Sequence, residues 1–213
     1  MPLGSPRSII RSAAGRDDPM SVPDTTSGGE REPRPATRLP LVGLLLIQIF
    51  IGYEWFISGL TKIHHGDFPS GLAAELEEKS KGVAGWYKSF LDGSVIPHAT
   101  GFGYALEIGE LLIGIALVGA ALGWLFGWQR LPARGRAWIL ISTAAAALSG
   151  IFMNVNFHLA NDSAHPWLIS KGGFDEGVDL DSLMPAIQLV LIGVSLAALR
   201  AQLHRDRQRP PRL

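Results

Sequence analysis

The chain has 213 residues, enough for one domain, and apolar residues make up 47% of it. Basic and acidic side chains balance at 19 each, so no bulk field draws the chain to nucleic acid or to acidic partners. There is no cysteine, which excludes disulfides, thiolate metal sites, iron–sulfur ligation and cysteine redox chemistry within the chain.

In chain order, residues 1–38 come first, polar and rich in Arg and Pro. They cannot bury enough apolar surface to fold and read as a disordered cytoplasmic tail. Four apolar blocks follow, at about 39–63, 101–128, 137–160 and 183–201. Each approaches or exceeds the roughly 17–25 residues that a helix needs to cross the hydrocarbon core. Backbone polar groups in lipid must be satisfied within the segment, which favours helices, and no strand-like alternation suggests a barrel. The first block starts too late and runs too long for a signal peptide, and no small-x-small cleavage site follows it. The expected fold is all-α: a polytopic four-transmembrane-helix bundle over residues 39–201, with a basic cytoplasmic tail at 202–213.

Charge predicts orientation. All fourteen arginines lie in the N-terminal tail, in the segment Arg130–Arg136, or in the C-terminal stretch Arg200–Arg212. The positive-inside rule places all three in the cytoplasm, and four spans make the assignments mutually consistent. The expected location is a bacterial or archaeal plasma membrane with both termini cytoplasmic. The two remaining loops, 64–100 and 161–182, then face outward.

In the first outer loop, Val83, Trp86, Tyr87, Phe90 and Leu91 form one apolar stripe at helical spacing. This predicts a short interfacial helix, resting on lipid or on the bundle top. Leu72, Leu76 and the acids Glu75, Glu77 and Glu78 suggest a second short helix before it. Asp67-Phe68-Pro69 and Ile96-Pro97 mark breaks. Gly109, Gly114, Gly119 and Gly123 in the second span, and Ser149-Gly150 in the third, let helices approach closely.

Ionisable groups within spans are costly and are therefore functional candidates. Depths follow from about 1.5 Å of rise per residue. Lys62 sits at the outer rim of the first span, with Glu54 about 13 Å below it. Glu107 and Glu110 lie roughly 9 and 13 Å down the second span. His158 and Asn154 lie about 3 and 9 Å down the third, with Asn156 between them. Glu54, Ser58 and Lys62 share one helix face, Glu107 and Glu110 another, and Asn154 and His158 a third. These groups converge from three helices in the outer half, while the inner halves hold no ionisable group. The alternative is an ion-pair and amide network that fixes helix register alone. Five of the six histidines fall on the outer side, but only His158 is within a span and no acid–His ligand motif accompanies it. Neither a metal site nor haem ligation is expected.

The stretch Gly52-Tyr53-Glu54-Trp55-Phe56-Ile57-Ser58-Gly59-Leu60-Thr61-Lys62-Ile63 resembles the first helix of the DoxX/DoxD family. Gly109-Glu110-Leu111-Leu112-Ile113-Gly114-Ile115-Ala116-Leu117 is similar to its second helix. Asn156-Phe157-His158-Leu159-Ala160, followed by Ser163 and Pro166, resembles the end of its third. The similarity covers about residues 40–200. It implies a four-helix membrane subunit tied to redox chemistry, in some members passing electrons from thiosulfate to membrane quinone. Other members serve as membrane partners of soluble redox enzymes.

Two readings follow. In the first, the chain is a quinone-reactive subunit of a membrane oxidoreductase such as a thiosulfate:quinone oxidoreductase. Glu54, Glu107, Glu110 and His158 then handle protons, while Lys62, Ser58, Trp55, Asn154 and Asn156 bind the quinone, which is the substrate. No redox cofactor motif is visible, so electrons come from other subunits or a soluble redox partner. In the second, the chain is a non-catalytic scaffold that docks a partner. An apolar cavity beside the glutamates favours the first, and a filled bundle with a flat outer face favours the second.

Overall fold

Long apolar runs set the architecture. In the computed structural model, residues 39–161 and 180–208 are described. Four long helices occupy the apolar blocks: α1 (Leu39–His65), α4 (Ala99–Leu122), α5 (Ala133–Ala160) and α6 (Leu180–Gln208). All four are long and apolar enough to cross a membrane. Two shorter helices, α2 (Phe68–Lys79) and α3 (Gly85–Phe90), fill the connection between α1 and α4. Among the described residues there is no strand. The protein is an all-helical, multi-pass membrane protein built on a four-helix bundle. The expected N-terminal tail, most of the acidic loop and the last five residues lie outside the described residues.

Local chemistry explains the turn from α1 into α2. Gly66 adopts a positive φ of 74°, open mainly to glycine, and its N–H donates to the Lys62 carbonyl at 3.0 Å. Pro69 then stands in the first turn of α2, where its missing N–H costs nothing. The expected break at Ile96-Pro97 takes another form. From Gly85 the helical path continues through a π turn (Leu91–Val95) and a 3₁₀ turn (Ile96–His98) into α4. Pro97 falls in the first turn of that 3₁₀ segment, so the hydrogen-bond pattern changes while the chain stays helical. A second π turn, Gly123–Gly127, extends α4. α5 begins at Ala133, and α6 continues to Gln208, several residues beyond the expected end of its span.

The helices pair unequally. α1 packs mainly on α4 and α5 mainly on α6, with α4 also against α5, whereas α1 and α6 meet only briefly. α1 and α4 approach almost backbone to backbone. A methyl group added at Gly59 would stand 2.8 Å from the Glu107 carbonyl oxygen, and one at Gly114 would stand 2.7 Å from the Gly52 carbonyl oxygen. Of the four glycines expected to pack closely on this helix, Gly119 faces open space. The residues that meet Gly114 come instead from around Gly52 on α1. In the core, Ile51, Trp55, Ile113, Leu117, Ala147 and Leu191 are buried together. Phe50, Trp138 and Phe126 are 70% or more exposed, as side chains facing hydrocarbon would be.

α2 and α3 lie over the end of the bundle where α1 finishes, here termed the capped end. Pro69 of α2 seats directly on Gly103 of α4. The apolar stripe of the outer loop divides: Tyr87 and Leu91 are buried, while Trp86 and Phe90 face outward. Residues four apart stay on one helix face, so the pair 87 and 91 packs inward and the pair 86 and 90 cannot follow it.

Candidate functional site

Beneath α2 and α3, between α1, α4 and α5, lies a cavity of about 430 Å³. Most of its wall is apolar, including Trp55, Leu72, Leu106, Met153, Phe157 and Met184. Into this wall α1 and α4 bring opposite charges. Lys62 forms an ion pair with Glu110 through both carboxylate oxygens. Glu110 is fully buried, and 23% of the Lys62 side chain is exposed. Lys62 Nζ also donates to Ser58 Oγ at 3.1 Å, one turn earlier on the same helix. Its ammonium lies 5.0 Å from the ring centre of Phe68 and 5.8 Å from that of Phe157, within cation–π range. One carboxylate, one hydroxyl and two ring faces thus fix a cation at the cavity wall. Two charges in an apolar setting need such saturated geometry to offset their lost hydration.

Amides organise the far wall. Asn154 Nδ2 donates to Gln188 Oε1 of α6 at 3.4 Å. Gln188 is fully buried and rests against Gly150 of α5, which has no side chain to exclude it. Asn156 Nδ2 donates to the Phe152 carbonyl at 2.7 Å. The Tyr87 hydroxyl lies 3.1 Å from the Asn156 carbonyl oxygen and 3.2 Å from its Oδ1, which ties α3 down onto α5.

The nine candidate residues separate into two groups. Glu54, Trp55, Ser58, Lys62, Glu110, Asn154 and Asn156 all line the cavity. Glu107 and His158 are buried but lie outside its wall. The Glu107 backbone carbonyl lies beside Gly59 of α1, and its buried side chain leaves Oε2 without a hydrogen-bond partner among the described residues. Glu54 is exposed while lining the cavity, and the buried Trp55 indole N–H has no partner among the described residues. Among the described residues no three His, Asp or Glu side chains group closely enough to share a metal ion.

Sequence reasoning passed over Tyr87 as a tether, Gln188 as the support of Asn154, and the rings of Phe68 and Phe157 around Lys62. Gln188 carried a signal, being an amide in the middle of an apolar span. The two rings carried none, because phenylalanine is ordinary in such segments. The arrangement can hold a flat apolar group and offer it one charged donor, one charged acceptor and neutral amides. No protein-family model matches the chain, and neither the curated proteins nor the solved structures provide a match.

Proposed function

We propose that this chain is the quinone-binding membrane subunit of a redox complex, as its resemblance to the DoxX/DoxD family implies. The observation that carries the reading is the cavity of about 430 Å³, whose apolar walls surround the Lys62–Glu110 ion pair. Its size falls within the roughly 300–1,000 Å³ of small-molecule sites, and its few placed polar groups suit a ring with two carbonyl oxygens. In this reading the capped end faces outward from a bacterial or archaeal plasma membrane and both termini are cytoplasmic, in accord with the confinement of arginine to three segments.

Quinone reduction consumes two electrons and two protons and yields the quinol. The electrons come from a partner redox protein oxidising a sulfur compound such as thiosulfate. The Lys62 ammonium donates a hydrogen bond to one ring oxygen and can pass it a proton. Glu110 holds that ammonium in place and returns a proton to the lysine it has discharged, while Glu54, exposed at the cavity wall, supplies the second proton to the other ring oxygen. Asn154, on the opposite wall, orients the ring. Glu107 lies outside the cavity wall and is assigned to helix packing. A scaffold role would call for a filled bundle, and the cavity weighs against it.

The test is quinone reduction in membranes supplied with the sulfur donor and any soluble partner. Glu110→Gln preserves shape and hydrogen bonding but cannot titrate, and turnover should fall by about a hundredfold or more, the usual contribution of a positioned proton donor. Glu107→Gln should retain most turnover. Full activity in a folded Glu110→Gln variant across pH would remove the proton-handling role.

A further inference from the structure

We infer that the cavity is reached from within the bilayer, through an opening edged by Phe90, Phe102 and Phe152, and that it takes an uncharged, ring-headed amphiphile rather than an anion. This rests on reading the cavity as a ring site. Charge is the first argument. Among the described residues, the cations on the cavity wall are Lys62 and Lys79, and each is already paired. Lys62 meets Glu110, and Lys79 meets Glu75 at 2.8 Å. Glu54 adds a further carboxylate. An anion would find no free cation here, and its lost hydration would go uncompensated. An anionic electron donor is therefore oxidised on the partner protein rather than in this cavity.

Position is the second argument. Phe90, Phe102 and Phe152 line the cavity and are also 45%, 42% and 69% exposed. A side chain that belongs to both the cavity wall and the outer surface marks an edge between them: the exposed Glu75–Lys79 pair marks a polar edge at the cap, and the three rings mark the apolar one. Phe152 lies about 12 Å below the end of α5, at a depth where the surroundings are hydrocarbon rather than water. Size is the third. The cavity lies toward the lower end of the range for small-molecule sites, about 300–1,000 Å³. It holds a ring with its substituents but not a tail long enough to anchor in a leaflet. The tail of a membrane-dissolved ligand has to leave across this aromatic edge.

The absence of native cysteine makes the edge addressable, because Phe152→Cys gives a single site for a bulky maleimide. Phe50→Cys, on the lipid face of α1 and outside the cavity wall, controls for labelling. Association rates are measured on the full chain in nanodiscs with decylubiquinone and with its tailless dimethoxy-methylbenzoquinone ring, and thiosulfate is added as a competitor. The label at position 152 should slow decylubiquinone about tenfold and leave the tailless ring within about twofold. The label at position 50 should change neither, and thiosulfate should not compete. If both quinones slow equally, or neither slows, access through this edge is overturned while the ring site stands. Competition by thiosulfate overturns the exclusion of anions. If neither quinone binds the unlabelled protein, the ring reading falls and this inference falls with it.

Discussion

The two ends of the bundle solve the same packing problem in opposite ways. At the end away from the cap, the helices close up. Gln48 of α1 donates to the Leu117 carbonyl of α4 at 2.9 Å and to Thr143 Oγ1 of α5 at 3.4 Å, so one amide ties three helices. Leu117 and Ala147 are fully buried there. At the capped end α1 and α4 still meet backbone to backbone at Gly59 and Glu107, yet a space lined by large side chains and the charged pair stays open between this pair, α5 and the cap. Polar groups occur at both ends, so polarity alone does not mark a site. At the closed end the polar side chain is satisfied across the helix seams. At the open end the Lys62–Glu110 pair and Asn154 are satisfied around a cavity, while the Trp55 indole N–H on its wall has no partner among the described residues.

The sharpest way to test this contrast is to unbalance the charged pair. Lys62→Met leaves Glu110 buried without its cation and should cost about 3–5 kcal/mol of stability, seen as a lower thermal midpoint in detergent. The double variant Lys62→Met with Glu110→Leu should recover most of that loss, because no charge is then stranded. Equal destabilisation by the single and double variants would show that the pair contributes through shape rather than charge. A smaller effect is expected from overfilling the α1–α4 seam. Gly114→Leu should cost about 1–3 kcal/mol or more, since its side chain meets the Phe56 backbone. Gly119→Leu, in open space, should lie within about 0.5 kcal/mol of the parent.

At the closed end, Gln48→Leu should lose about 1 kcal/mol and leave affinity for the proposed quinone ligand unchanged. A loss of affinity from that variant would mean that the two ends are coupled. The smallest expected effect concerns the cap. Tyr87→Phe removes the hydroxyl tether to Asn156 and should cost about 0.5–1.5 kcal/mol, read as faster protease cleavage around residues 80–93. Unchanged cleavage would mean that Leu91 and Pro69 hold the cap without the tether.

The spans were legible because hydrocarbon imposes length and composition together, a pattern that no surface loop imitates. That polar groups from three helices gather in the outer half was legible from depth, but the Lys62–Glu110 contact was not, since the estimated depths set the two about 13 Å apart and the long lysine stem spans the difference. Rotation was less legible. Residues three apart on a helix differ by about 60° around the axis. That offset takes Glu107 off the cavity wall where Glu110 stands. Depth placed both glutamates together, and only the packing of α1 on α4 separated them. The close approach at Gly52 and Gly59, seven residues apart on α1, was not read from the sequence, which pointed to the glycines of the second span instead. Its partner surface could not be known before the helices were paired.

The unbroken helical path from Gly85 to Gly127, 43 residues long, makes the cap and the second span one mechanical part. α3 is not a flap on a loose string but the short arm of a bent lever. Its pivot is the π and 3₁₀ segment around Pro97, where the regular ladder of hydrogen bonds changes step. Its long arm carries Glu110. The outward rings of Trp86 and Phe90 and the buried carboxylate of Glu110 are thus carried on one continuous helical segment, joined through that pivot and not through a loop.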